Sequence, residues 1–150
     1  MESKLILVLS GPNLNLLGER EPEVYGKATL DDHVATAREV AAAAGYEVEH
    51  TQSNSEGALI DAIHGARGRA AAIIFNPGAF THYAHGLADA LAAYDGVVVE
   101  VHLSNPAARE AWRHTSVIAP VATGTIAGFG GLGYRLAVQA ALALLEDSPS

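Results

Sequence analysis

Three polar residues that could take part in chemistry stand where predicted strands end. Asn13 follows the first apolar run of the chain, Asn76 follows a run near the middle, and His102 ends the next run. In a parallel α/β sheet the carboxyl ends of the strands meet at one edge, and ligands bind in the crevice outside them. The pattern therefore predicts that the three residues share one site, although each alone is more typical of a turn or a structural residue.

Glu100 precedes His102 by two residues on the same predicted strand. Side chains two apart on a strand lie on one face, so the carboxylate can hold one imidazole nitrogen and stabilise the protonated ring. The other nitrogen is then left to act on a substrate, which makes the pair a candidate general acid. The spacing is equally compatible with a structural polar pair.

A long loop between the first strand and the first helix carries further polar groups. Residues 11–26 read GPNLNLLGEREPEVYG and include Arg20 and Tyr25. Loops of this length are uncommon in compact domains and often act as lids or binding loops. A phenol has an ordinary pKa of about 10, so a tyrosine base needs a nearby cation, and Arg20 is the candidate. From these residues alone, the favoured interpretation is that Tyr25 packs the loop down and Arg20 is solvated.

Three segments together resemble the type II 3-dehydroquinate dehydratases of the shikimate and quinate pathways. They are the 11–26 loop, NPGAFTH at 76–82 and EVHLSN at 100–105. The resemblance covers essentially the whole chain and implies a flavodoxin-like α/β fold with strand order 2-1-3-4-5. It implies β-elimination of water from 3-dehydroquinate through an enolate intermediate, giving 3-dehydroshikimate, with neither a metal nor an organic cofactor.

The resemblance also implies catalytic roles. Tyr25, kept ionised by Arg20, is the base, and His102, oriented by Glu100, is the acid. Asn13 holds a water that stabilises the enolate oxygen.

The remaining implied roles concern the substrate. Asn76 lies near the leaving hydroxyl, while the backbone of Leu103 and the hydroxyl of Ser104 take the carboxylate. His82 and Arg113 bind the other ring hydroxyls.

The family assembly is a dodecamer of trimers, in which Asp89 reaches into a neighbouring subunit's site. This chain departs from the family at Ala84 and Ala88, where a Ser or Thr and an Arg are usual. Both departures lie on the helix that bears Asp89, so they affect the expected subunit contact more than the chemistry.

Composition limits the class of protein. With 150 residues, 49% of them hydrophobic, a single domain over 1–150 with a polar tail near 147–150 is expected. The net charge of −8 argues against partners such as nucleic acid or an anionic membrane surface. The chain has no cysteine and runs from its first residues straight into a strand, which favours a cytoplasmic location.

Five apolar runs alternate with helical patterns, which predicts a parallel sheet covered by helices on both faces. Strands are predicted at 5–9, 46–52, 72–75, 97–102 and 125–127, the second at an edge, and the fifth in preference to 117–119. Thr29 is the predicted N-cap of a helix ending at Gly45, and Ser53 with Glu56 the capping box of the next. Further helices are predicted at 83–94, from Pro106 through Trp112, and after the glycines at 128–133.

Several motifs point to other functions. GFGGLG at 128–133 matches a dinucleotide-binding pattern, but too little chain follows it, so close packing is the preferred interpretation. His82 and His85 have helical spacing without a nearby carboxylate, which makes a metal site the minor interpretation. The alternative function is a non-catalytic flavodoxin-like domain that binds a small hydroxy acid or a nucleotide in the same crevice.

Overall fold

The computed structural model describes residues 3–147 and has a parallel five-stranded sheet at its centre. The strands are β1 (Leu5–Ser10), β2 (Glu47–Gln52), β3 (Ala72–Asn76), β4 (Val97–His102) and β5 (Gly124–Ala127). Their spatial order, β2-β1-β3-β4-β5, confirms the predicted fold, the edge position of the second strand and the choice of the fifth strand. Most of the expected polar tail lies outside the described residues.

The helices are α1 (Pro22–Tyr25), α2 (Leu30–Ala43), α3 (Glu56–Ala66), α4 (His85–Ala92) and α5 (Leu132–Asp147). Because successive strand side chains point to opposite faces, Ile6 and Val8 pack with α2 and α5, while Leu7 and Leu9 pack with α3 and α4. Each face of the sheet therefore has its own buried apolar layer, as continuous apolar strands require. No helix within residues 3–147 is long and apolar enough to cross a membrane.

Two of the predicted helix starts were wrong. Ser55, not Ser53, caps α3 by accepting the backbone N–H of Ala58, while the Ser53 hydroxyl accepts the N–H of Ser55. The predicted helix over 83–94 is shorter, since a 3₁₀ turn at Gly78–His82 comes first and α4 covers only His85–Ala92.

The short helix predicted through Trp112 is replaced by two 3₁₀ turns, Pro106–Ala108 and Ala111–Arg113. Asn105 caps the first turn by accepting the N–H of Ala107. Between the two turns the backbone of Arg109 is extended, with φ −112° and ψ −163°. This break in the helical path turns the Arg109 backbone, and its side chain contacts the pocket described below.

The loops after the neighbouring strands β1 and β3 lie against each other. Gly11 N–H donates to the carbonyl of Asn76 at 2.8 Å. A Cβ at Gly11 would lie 2.2 Å from the carbonyl oxygen of Pro77, so only glycine fits there. This close approach brings the 11–26 loop to the carboxyl end of β3, where open α/β sheets bind ligands.

The N-terminus of α2 offers a test of the local fold. Thr29 accepts the N–H of Asp32, and the Asp32 carboxylate accepts the N–H of Thr29, which completes a capping box. Thr29→Ala should lower the free energy of unfolding by about 1 kcal/mol in urea titrations. Thr36→Ala, in the middle of the same helix, is the matched control and should be neutral or slightly stabilising. Equal effects at both positions would contradict the capping role.

Candidate active site

A pocket of about 260 Å³ opens at the carboxyl ends of β1, β3 and β4. Its walls come from the 11–26 loop, the turn after β3 and the segment after β4. The site residues predicted from the sequence that line it are Asn13, Arg20, Tyr25, Asn76, His82, His102, Leu103, Ser104 and Arg113. Glu100 lies behind His102 instead, and Asp89 is exposed on α4, outside this pocket.

The acid candidate is a buried hydrogen-bond partner of a carboxylate. His102 Nε2 lies 2.6 Å from Glu100 Oε2, and Glu100 has no exposed surface. The imidazole also lines the pocket, so Nδ1 is the ring nitrogen left for a ligand. This is the geometry expected when a carboxylate orients an imidazole and stabilises its protonated form.

Hydroxyl groups surround the other sides of the Glu100 carboxylate. Thr81 Oγ1 donates to Oε2, Ser116 Oγ lies 3.0 Å from Oε2 and 3.2 Å from Oε1, and Thr125 Oγ1 lies 3.4 Å from Oε1. Burial alone would raise the pKa of the Glu100 carboxyl, but hydrogen bonds from His102, Thr81 and Ser116 outweigh it and hold this pKa below its ordinary value. The carboxylate is therefore ionised despite its burial.

The base candidate, Tyr25, is half-buried at the end of α1 and contacts two guanidinium groups. Arg20 Cζ lies 5.2 Å from the centroid of the phenol ring, over its face, and pairs with Glu21 at 3.4 Å. The phenol oxygen instead accepts a hydrogen bond of 2.9 Å from Arg109 Nη1. A cation beside Tyr25 was predicted, but the guanidinium that binds its hydroxyl belongs to Arg109, which the sequence did not indicate.

Arg109 also ties the base to a predicted substrate-binding residue. Its Nη1 lies 3.3 Å from Ser104 Oγ, and its Cζ lies 5.3 Å from the centroid of the Tyr25 ring. Ser104 is the second residue after β4, so the contact connects the 11–26 loop to the end of that strand. One guanidinium thus sets the position of the phenol relative to the pocket.

The two asparagines are held by the protein in different ways. Asn13 adopts the left-handed φ of 67°, which Asn tolerates better than most residues, and its N–H donates to Asn54 Oδ1 at 3.0 Å. Asn76 is buried: its Nδ2 donates to Tyr134 Oη at 3.3 Å, and its Oδ1 accepts the N–H of Gly78 at 3.2 Å. Tyr134, from α5, is fully buried and was not predicted to take part.

A second wall combines His82 with Trp112 and Arg113. His82 Nδ1 lies 2.7 Å from the carbonyl oxygen of Thr115, which leaves Nε2 for a ligand. The Trp112 indole packs edge-to-face on His82 at 5.2 Å, and Arg113 Cζ lies 4.0 Å from the centroid of the Trp112 ring. Trp112, which was predicted only as the end of a helix, therefore contacts both predicted binding residues.

The histidine pair and the glycine-rich segment were the other motifs of the sequence. In the described part of the chain, no three His, Cys, Asp or Glu side chains are placed to hold a metal ion. In the glycine-rich segment, a Cβ at Gly131 would lie 2.4 Å from His33 Cε1 and one at Gly133 would lie 3.0 Å from Val101 Cγ2. These glycines allow close packing between the loop, α2 and β4, as the preferred interpretation predicted.

Comparison with known proteins agrees with this geometry. The family model described as dehydroquinase class II matches residues 4–142. The chain is 54% identical to a 3-dehydroquinate dehydratase of Halalkalibacterium halodurans, over 94% of this chain and 95% of that protein. It is 53% identical to a catabolic 3-dehydroquinase 2 of Aspergillus flavus, over 91% of each. The crystal structure of a type II dehydroquinase from Propionibacterium acnes superposes with a TM-score of 0.89 at 47% identity, over 95% of this chain and 97% of that one.

Proposed function

Since the chain belongs to the class II dehydroquinase family, we propose that it is a hydro-lyase that converts 3-dehydroquinate to 3-dehydroshikimate and water. The observation that carries this proposal is the single pocket lined by both Tyr25, with Arg109 on its hydroxyl, and His102, with Glu100 behind it. A base candidate and an acid candidate at one pocket are what a β-elimination requires.

The reaction begins with the base. The ionised oxygen of Tyr25 takes the proton from the carbon next to the ketone. The electron pair of that C–H bond forms a carbon–carbon double bond, and the π pair of the carbonyl moves onto the ketone oxygen to give the enolate. Guanidinium groups favour the phenolate over the phenol, which is the role of Arg109 at the oxygen and of Arg20 over the ring. A water held by Asn13 stabilises the enolate oxygen.

The acid completes the reaction. As the enolate collapses, the bond between carbon and the β-hydroxyl breaks, and that oxygen leaves with a proton from His102 Nδ1 as water. Glu100 stabilises the imidazolium before the transfer and fixes which nitrogen faces the pocket, because Nε2 is bound to it. The elimination leaves Tyr25 protonated and His102 neutral, so a proton returns from the phenol to the imidazole through solvent before the next turnover, and no redox step is needed.

The remaining polar groups hold the substrate. The backbone of Leu103 and the hydroxyl of Ser104 bind the carboxylate, and Asn76 lies at the leaving hydroxyl. His82 and Arg113 bind the other ring hydroxyls. The contacts of these residues with Trp112, Tyr134 and Arg109 support the assignment, because they restrict the side chains before the substrate enters.

The proposed activity is tested by adding purified protein to 3-dehydroquinate and following the absorbance of the enone product. A steady rise proportional to enzyme concentration is expected. Saturable binding of the substrate with no rise would instead favour the alternative, a non-catalytic domain that binds hydroxy acids. The names of the relatives include both general and catabolic enzymes. The same reaction can therefore serve either the shikimate or the quinate pathway.

We also propose that the enzyme acts as a cytoplasmic homo-oligomer, a dodecamer built from trimers. Asp89 is exposed on α4 and does not line the pocket of its own chain, which supports a role toward a neighbouring subunit. Sedimentation should then show a species many times the 15.5 kDa chain mass. A monomer that retains full activity would contradict the assembly and the role of Asp89 in it.

Loss of Arg109 should lower turnover, whereas loss of a cation on the surface away from the pocket should not. Arg109→Ala should reduce kcat by about 10- to 100-fold, the effect of losing one hydrogen bond to a charged group, and Arg20→Ala should also lower it. Steady-state kinetics on both variants provide the test. The matched control is Arg69→Ala, since Arg69 is exposed and pairs with Glu49 rather than with the pocket. Wild-type kcat in Arg109→Ala would contradict its role at the phenol.

A further inference from the structure

The hydroxyl of Ser116 has no part in the steps above, yet its hydrogen bonds are fixed on every side. It accepts the backbone N–H of Ile118 at 3.1 Å and of Ala119 at 2.9 Å. A hydroxyl has two acceptor positions and one proton, so both acceptor positions are filled and the proton must be donated. The acceptors within reach are the Glu100 carboxylate, at 3.0 Å, and Thr81 Oγ1, at 2.8 Å.

Thr81 is fully buried, and its hydroxyl donates to Glu100 Oε2. Ser116 therefore donates either to Glu100 directly or to Thr81, whose own proton already lies on Glu100. In the first arrangement both hydroxyls donate to the carboxylate, and in the second Ser116 donates to Thr81, which in turn donates to Glu100. The buried charge thus receives support from Ser116 either directly or through Thr81, and charge-assisted hydrogen bonds of this kind are the strong ones.

The segment that carries Ser116 is held against the turn after β3 by backbone contacts on both sides of it. Val117 N–H donates to the carbonyl of Thr81 at 2.7 Å, and the carbonyl of Thr115 binds His82 Nδ1 at 2.7 Å. The position of the Ser116 hydroxyl is therefore set by the backbone, not by the carboxylate it faces. Such a donor is in place before the substrate binds.

We propose that Ser116 and Thr81 are positioning residues for the acid: their hydroxyls keep Glu100 ionised and its Oε2 aimed at His102 Nε2. The inference rests on the proposed function and deepens it, because neither residue touches the pocket contents. Both act through Glu100, which in turn fixes the imidazole so that Nδ1 delivers the proton. Within residues 3–147, His102 is the titratable group that contacts the Glu100 carboxylate. The other hydrogen-bond partners of the carboxylate are the hydroxyls of Thr81, Ser116 and Thr125.

The test uses Thr81→Val, which keeps the side-chain shape, and Ser116→Ala. A carboxylate that loses a donor holds the proton it shares with His102 more tightly, so the basic limb of the kcat/KM profile, where His102 loses its proton, should move to higher pH by about one unit. We expect kcat to fall about 10-fold or more, and KM to change less than about threefold. Thr81→Ser and Ser116→Thr keep the hydroxyl and should restore the wild-type profile.

Thr123→Ala is the matched control, because Thr123 Oγ1 accepts the N–H of Val98 without contacting Glu100. It should leave the basic limb in place. An NMR titration of the His102 ring gives a readout that does not need turnover, and in Thr81→Val its transition should also move to higher pH.

Folded Thr81→Val and Ser116→Ala proteins with a wild-type basic limb and an unmoved His102 transition would overturn this inference, while the activity of the parent enzyme would still support the proposed function. Equal shifts in Thr123→Ala would also overturn it. A parent enzyme that does not turn over 3-dehydroquinate would instead count against the proposed function, and the His102 titration would still decide the positioning role.

Discussion

Replacing Tyr25 with Phe should reduce turnover of 3-dehydroquinate by at least about 10²- to 10⁴-fold, the usual scale of acid–base catalysis. The substitution keeps the ring, its packing and its contact with the Arg20 guanidinium. It deletes the only atom that could accept the proton and the acceptor of the Arg109 hydrogen bond. Steady-state kinetics measure the loss, and calorimetric titration with substrate should show that binding survives.

Tyr83→Phe is the matched control for this variant. Tyr83 is 54% exposed and does not line the pocket, so loss of its hydroxyl should leave kcat unchanged. A fully active Tyr25→Phe enzyme would remove the base from the mechanism and return Tyr25 to the role of a residue that packs the loop down.

His102→Ala should lose about 10²- to 10⁴-fold in kcat because the leaving hydroxyl would have no proton donor. Substrate affinity should change less, since the implied binding groups lie elsewhere around the pocket. The variant also leaves the buried Glu100 carboxylate without its cation, so the free energy of unfolding should fall as well. Kinetics and urea unfolding measured on the same preparation separate the two effects.

His64→Ala provides the comparison, because His64 is exposed at the end of α3 and far from the pocket in the fold. It should behave as wild type in both measurements. Near-wild-type turnover in His102→Ala would mean that His102 and Glu100 form only a structural polar pair.

The sheet was predictable because its central strands are continuous apolar runs. Residues 72–75 and 97–99 lack the alternation of a half-exposed strand, and in the structure they are covered on both faces. Strand order was not available from periodicity, since the same runs fit several orders. It came from the three motif segments, which carry information on the fold that hydrophobicity does not.

The errors lie where two local solutions compete. Ser53 and Ser55 can each cap a helix, and the choice depends on where β2 ends, at Gln52. Both hydroxyls accept a backbone N–H in the structure: Ser53 accepts that of Ser55 in the turn, and Ser55 accepts that of Ala58 in the helix. A capping-box pattern alone could not distinguish them.

The part of the site that follows strand ends was predictable, because parallel topology brings those residues together whatever their separation in sequence. Arg109 and Ser116 were not, since each comes from an irregular segment without a periodic pattern. Arg109 reaches Tyr25 across 84 residues of sequence, and Ser116 reaches Glu100 across 16. Only the fold shows which charge or hydroxyl each segment delivers.

The assignment of Tyr25 as the base and His102 as the acid is tested most directly by hydrogen exchange in deuterated water. NMR of 3-dehydroquinate with His102→Ala should show deuterium entering the substrate at the carbon next to the ketone, without elimination, because the base still forms the enolate. Tyr25→Phe should show neither exchange nor elimination. Exchange in Tyr25→Phe but none in His102→Ala would reverse the two roles and contradict the mechanism.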